Sequence, residues 1–223
     1  MTTYNLHDNI WGNIQPPSST LLKNHHLRKL LNFSQHLDRL AEFNGWLSGW
    51  LIVVTVGVGF YNVAARYLGR FIGVQLSSNT LIELQWYLFS IMFLLGFSYI
   101  LKHGNNVRVD FLYATWDDKR KALVDFVGTV MFLIPFCVLG LITSFNYALQ
   151  SWGKMPDGTW GTAEISLDAG GLPRAPIKSM LALGFLLLLL QAISQAIKYL
   201  AIYKGYTQVA EQLRSEAENL PLE

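Results

Sequence analysis

The residues able to do chemistry are few, and they crowd one stretch. Glu83, Trp86 and Tyr87 open an uncharged run from Leu84 to Leu101, which closes on Lys102 and His103 and leads through Arg108 to Asp110. A carboxylate beside hydrocarbon is costly unless it is paired or turned toward protein, so Glu83 is the first candidate for a structural or partner-binding role. The rest of the inventory is thin. His7, His25, His26 and His36 precede the first long apolar run, and His103 sits at the exit of the second. With no histidine inside an apolar run, a pair of axial haem ligands is disfavoured. Cys137, the only cysteine, excludes an internal disulfide and a cysteine-based metal cluster. No glycine-rich phosphate loop occurs, and no carboxylate lies mid-run to relay protons or ions. Neither a catalytic constellation nor a cofactor or metal site is expected.

The elements that position these residues are membrane spans. Of 223 residues, 52% are hydrophobic and only 14% charged, well under the share usual in soluble domains. Leu84–Leu101 is about 18 residues, enough to cross a bilayer as a helix. Three similar runs flank it, giving expected spans at about 46–65, 84–101, 126–149 and 180–199 within a membrane domain 44–204. The expected fold is an all-α membrane protein of four transmembrane helices. A flexible tail (1–20) and an amphipathic interfacial helix (21–43) precede it, and a tail (205–223) follows it. In the 21–43 segment Leu27, Leu30, Leu31, Leu37 and Leu40 recur at helical spacing with Lys23, Arg28, Lys29 and Arg39 between them. That pattern suits a helix lying among anionic headgroups; a solvated helix is the alternative. The net charge of +2 is too small to imply nucleic-acid binding.

Asn62 and Arg66 close the first span. If the first two spans form a hairpin, Arg66 and Glu83 share a membrane face. They either pair or snorkel separately into headgroups. Pro135 falls inside the third run and is expected to kink that helix without ending it. The connection 152–176 carries a Pro156-Asp157-Gly158 turn signal and offers Trp160, Glu164 and Ser166 as outward contacts. Gln191 and Gln195, four apart, are expected to face another helix. Most basic residues lie in the first 43, in 102–121 and after 198, which places both termini in the cytoplasm and the 152–176 loop outside.

Read in order, several short motifs are similar to one family. They are Asn62 with Arg66-Tyr67, Glu83 with Trp86-Tyr87, Val107-Arg108-Val109-Asp110, Glu164 with Ser166, and Gly170-Gly171-Leu172-Pro173-Arg174 before the last span. Over about residues 40–205 the chain resembles the small, DctQ-like membrane subunit of tripartite ATP-independent periplasmic (TRAP) transporters. The resemblance implies a bacterial inner-membrane complex with a large membrane subunit and a periplasmic substrate-binding protein, driven by sodium and taking up an organic acid. It implies no cofactor and no enzymatic activity. Asn62, Arg66, Glu83, Trp86, Arg108 and Asp110 would be structural or partner-facing; Trp160, Glu164 and Ser166 would meet the binding protein. A histidine often precedes the "RVD" signature in that family; Asn106 stands there, so no histidine role is carried over. Two other classes fit a compact four-span chain: a membrane anchor of an oxidoreductase, and a self-assembling channel with Gln191 and Gln195 facing a pore.

Overall fold

The computed structural model describes residues 25–104 and 115–206. Its elements are α1 (His25–Ile72), α2 (Asn79–His103), α3 (Asp118–Gly128), a π-helical turn (Thr129–Leu133), α4 (Ile134–Ser151) and α5 (Ala175–Tyr203). Four stretches are long and apolar enough to cross a membrane: Lys29–Ile72, Asn79–His103, Lys119–Ser151 and Ala175–Tyr203. The all-helical four-span expectation holds. Among the described residues the only β pairing is two isolated bridges, Lys154 with Trp160 and Ile165 with Pro173.

The division at the start of the chain does not hold. Sequence patterning separates a helix at 21–43 from a span at 46–65, whereas α1 runs unbroken for 48 residues. Asn44 and Gly45 stand at the expected boundary, and tertiary contacts use both. The Asn44 amide donates to Ser98 Oγ at 3.2 Å instead of competing for its own backbone. A Cβ on Gly45 would lie 2.2 Å from Tyr99 Cδ2, so glycine here admits the aromatic ring and costs the helix little more than its intrinsic penalty.

Local chemistry sets the other helix ends. Ser78 caps α2, its hydroxyl accepting from Leu81 N, and Gly104 ends it in the left-handed region at φ 66°. The helix that leads into the third span begins at Asp118, and Lys121 N bonds Asp117 O at 3.0 Å. Pro135 behaves as expected of a proline that does not end its span. Ile134 N reaches back five residues to Thr129 O. The extra residue in that turn lets helix continue on both sides of a ring that has no N–H and crowds the preceding carbonyls.

α5 is the hub. It packs against α1, α2, α3, the π turn and α4. Of its span window 39% is buried, against 11% for Lys119–Ser151 and 17% for the first span. The buried stripe of α1 is small or polar: Ser34, Asp38, Ala41, Asn44, Ser48, Thr55, Asn62 and Ala65. Its exposed residues include Leu30, Phe33, Leu40, Phe43, Trp46 and Trp50. Lipid solvates such apolar side chains as well as a protein core does, so small and polar residues are left to the helix contacts.

Candidate functional site

Two polar clusters tie the helices together, one at each end of the bundle. The first joins the 152–174 loop to the start of α2. Glu83, 3% exposed, accepts from Ser166 Oγ and, at 2.5 Å, from Leu172 N. The Tyr87 hydroxyl donates to Pro173 O at 3.1 Å, Thr80 Oγ1 to Gly170 O at 2.5 Å and Asn79 Nδ2 to Ala169 O at 3.4 Å. The first two to three turns of α2 thus grip four backbone groups of the loop, at Ala169, Gly170, Leu172 and Pro173. Glu164 makes a second fastening. Its Oε2 accepts from Ser151 Oγ at 2.8 Å and from Lys178 Nζ at 2.5 Å, and Lys178 also lies 4.0 Å above the Tyr147 ring. The hydrogen bond from Lys178, helped by Ser151, holds the Glu164 carboxyl below the usual carboxylate range. The turn at Pro156-Asp157-Gly158 forms as expected. Thr159 donates through its hydroxyl and its N–H to Asp157, which depresses that carboxyl too.

These placements revise the sequence reading. Glu83 does not pair with Arg66: Ser166 and Leu172 take its carboxylate, and Arg66 is exposed. Ser166 and Glu164 point into the bundle end, so of the three expected outward contacts only Trp160 is strongly exposed (64%). Along this extended stretch the alternation runs polar-inward and apolar-outward, leaving Ile165 and Leu167 exposed. Among the described residues, the buried Asn62 Oδ1 meets no donor and the buried Arg174 Nε meets no acceptor. Trp86 is 42% exposed and lies against the Tyr87 ring. Arg108 and Asp110 fall outside the described residues.

The second cluster lies at the opposite end, where α1, α2 and α5 meet. Asp38 Oδ1 accepts from Gln191 Nε2 at 3.0 Å and Ser194 Oγ at 2.9 Å, while its Oδ2 pairs with Lys198 Nζ at 2.8 Å. Ser34 and Ser194 share a hydroxyl contact at 2.6 Å. One turn along α1, Glu42 Oε1 meets Lys102 Nζ and, at 2.8 Å, His103 Nε2. Gln195 Nε2 donates to the carbonyls of Leu101 and Lys102 in the last turn of α2, and the Leu101 carbonyl accepts from Gly104 N as well. The glutamines face neighbouring helices, not a pore. Sequence reading missed Asp38, Glu42, Ser34, Ser194 and Lys198. A signal existed: Ser34, Asp38 and Glu42 recur every four residues, and so do Gln191 and Gln195, with Lys198 three further on.

The carboxylates of both clusters are taken up by donors of the chain itself in fastening helices, and the described residues hold no group of three or more potential metal ligands. The fold defines a polytopic helical membrane protein whose buried polar groups serve packing. Among family models, that of the DctQ component of tripartite ATP-independent periplasmic transporters matches residues 55–201, about two thirds of the chain, and the protein belongs to that family. It is therefore a transporter component, a small multi-pass subunit of the bacterial inner membrane. No match is found among curated proteins or among solved structures. The family match starts after Asp38 and Glu42, so it covers only the α2 and α5 partners of the second cluster.

Proposed function

We propose that the chain braces the large membrane subunit of a sodium-driven TRAP transporter for an organic acid and binds no substrate itself. A 2-oxo acid, an amino-acid-like acid or a dicarboxylate is the expected class of cargo. One observation carries this reading. The carboxylates buried in the helix bundle, Glu83 and Asp38, are held by the chain's own donors, which suits a frame better than a transport site. Arg66 and Trp86 are exposed near the loop end and would meet the large subunit, with Arg108 and Asp110 assisting from the α2–α3 connection. Both termini would be cytoplasmic. Trp160, on the clamped periplasmic loop, would meet the binding protein. Glu164 and Ser166 would support that loop from within. The basic residues before Phe43 would meet anionic lipid.

The test is an affinity pull-down of the tagged chain from mild-detergent membranes, followed by uptake in proteoliposomes with and without a sodium gradient. A large multi-span partner and sodium-dependent uptake are expected. Glu83→Ala is expected to lower complex yield and uptake together; if both hold at the parental level, Glu83 has no part in the bracing. Recovery of the chain alone, or with a soluble redox enzyme, would overturn the reading.

A further inference from the structure

Gln191 and Gln195 are 1% and 2% exposed and one turn apart on the inward face of α5. Each amide has its orientation fixed by what it donates to. Gln191 Nε2 bonds a carboxylate oxygen of Asp38 at 3.0 Å; Gln195 Nε2 bonds the carbonyls of Leu101 and Lys102 at 3.3 and 3.0 Å. Flipping either amide would set oxygen against oxygen. Each Oε1 is therefore held away from those acceptors, and neither meets a donor among the described residues. Two amide oxygens buried without donors beside the hydrocarbon of a bilayer are too costly for a fold to keep unless something meets them.

Among the described residues, the nearby donors are turned to other acceptors. Ser194 and Lys198 serve Asp38, Lys102 and His103 serve Glu42, Asn44 serves Ser98, and Ser98 serves Leu95 O. Charge excludes a cation as the missing donor. Asp38 and Glu42 are each matched by a lysine, and a further positive charge would sit beside Lys102 and Lys198 without a counter-ion. A neutral molecule with two donor hydrogens fits. Side chains four apart on a helix start about 6 Å from each other at Cβ, a span that one water, or a linked pair, can bridge.

We propose that the junction of α1, α2 and α5 is a hydration site, in which ordered water donates to Gln191 Oε1 and Gln195 Oε1. The site sits between the Asp38–Lys198 and Glu42–Lys102 ion pairs.

The test is a cryo-EM map of the complete transporter in nanodiscs, at a resolution where other buried waters are seen, for the parent and for Gln191→Met. The parent should show density within hydrogen-bond distance of both oxygens. In Gln191→Met that density should weaken or move while Gln195 keeps its bonds to Leu101 and Lys102. Where Gln191→Met does not assemble, X-ray hydroxyl-radical footprinting of the parent complex replaces it. Bound water then predicts oxidation of buried side chains at this junction at least threefold above that at the Phe136–Phe185 ring contact between α4 and α5. A dry junction, a partner side chain donating to either oxygen, or density with the short distances of a metal ion would each overturn the proposal.

Discussion

Asp38→Ala tests the internal fastening most directly. In the parent, this one carboxylate accepts from Gln191, Ser194 and Lys198 at 2.8–3.0 Å. Alanine leaves the Gln191 amide without that acceptor in a site 1% exposed, and strips Lys198 of its carboxylate. Removing one partner of a buried ion pair costs about 3–5 kcal/mol. Lys198 lies near the end of α5 and can extend toward headgroups, and Ser194 keeps its contact with Ser34, so the low end applies, about 3 kcal/mol. For a chain of this size that corresponds to a fall in Tm of about 6–12 °C. Asp38→Asn keeps one acceptor oxygen and should lose about half as much. Exposed Arg39→Ala is the control, expected within about 0.5 kcal/mol of the parent. The assay is thermal unfolding of the purified chain in one detergent, read by size-exclusion chromatography after heating. A double-mutant cycle with Lys198→Ala should return a coupling energy above about 1 kcal/mol. Asp38→Ala within about 2 °C of the parent, or a cycle with no coupling, would refute the view that this cluster holds α1 to α5.

The other predictions concern the loop and the helix contacts. Glu164 has a depressed carboxyl, so its contribution to holding the loop is complete above the ordinary value of 4.5 and is lost as the pH falls below that through the folded-state value. Proteolysis within 152–174 should accelerate only in that acid range, and Glu164→Gln should cleave at the faster rate even at pH 7. Gly45→Ala drives a methyl into the Tyr99 ring and should destabilise the α1–α2 contact by about 1–3 kcal/mol in the same unfolding assay, whereas Gly49, where a Cβ meets nothing within 4 Å, should tolerate alanine. Leu167→Cys places a thiol where the side chain is 94% exposed, while native Cys137 is fully buried. A membrane-impermeant maleimide should label the variant from the periplasmic side of intact spheroplasts, and labelling only after lysis would reverse the assigned orientation.

The number and approximate positions of the spans were legible because uncharged runs of eighteen or more residues leave few alternatives to a crossing helix. The same composition hid the packing. In α1 the leucines at 27, 30, 31, 37 and 40 read as the apolar face of an interfacial helix, which says nothing of the side that packs: Leu30 and Leu40 are exposed and the helix packs through Ser34, Asp38 and Ala41. The polarity rule that sorts inside from outside in water has no force where the solvent is hydrocarbon. Glu83 was legible as important because a carboxylate at a span end calls for a partner. Its partner was not legible, since Ser166 and Leu172 lie more than eighty residues away and one of the two bonds is to a backbone N–H. The inward turn of Ser166 depends on that same long-range contact, and that of Glu164 on Ser151 and Lys178 across the ends of α4 and α5. Asp38 and Glu42 were masked by the basic residues around them, whose sum suggested a lipid surface.

The unbroken course of α1 bears on how the subunit stands in a bilayer. At about 1.5 Å per residue, its 48 residues reach about 72 Å, more than twice the roughly 30 Å of hydrocarbon. α2, with 25 residues, is little longer than one crossing. The four spans are thus posts of unequal height, α2 nearest to a single crossing and α1 overshooting it furthest. The overshoot is not dressed for water, because Leu30, Phe33, Leu40 and Phe43 lie open along it. Either the post leans far enough to keep that flank in the acyl boundary, or a neighbouring subunit clads it. In both cases the bonds from Asp38 and Glu42 to α5 and α2 fix the angle between the long post and the rest, so whatever sets its lean sets the seating of the whole subunit.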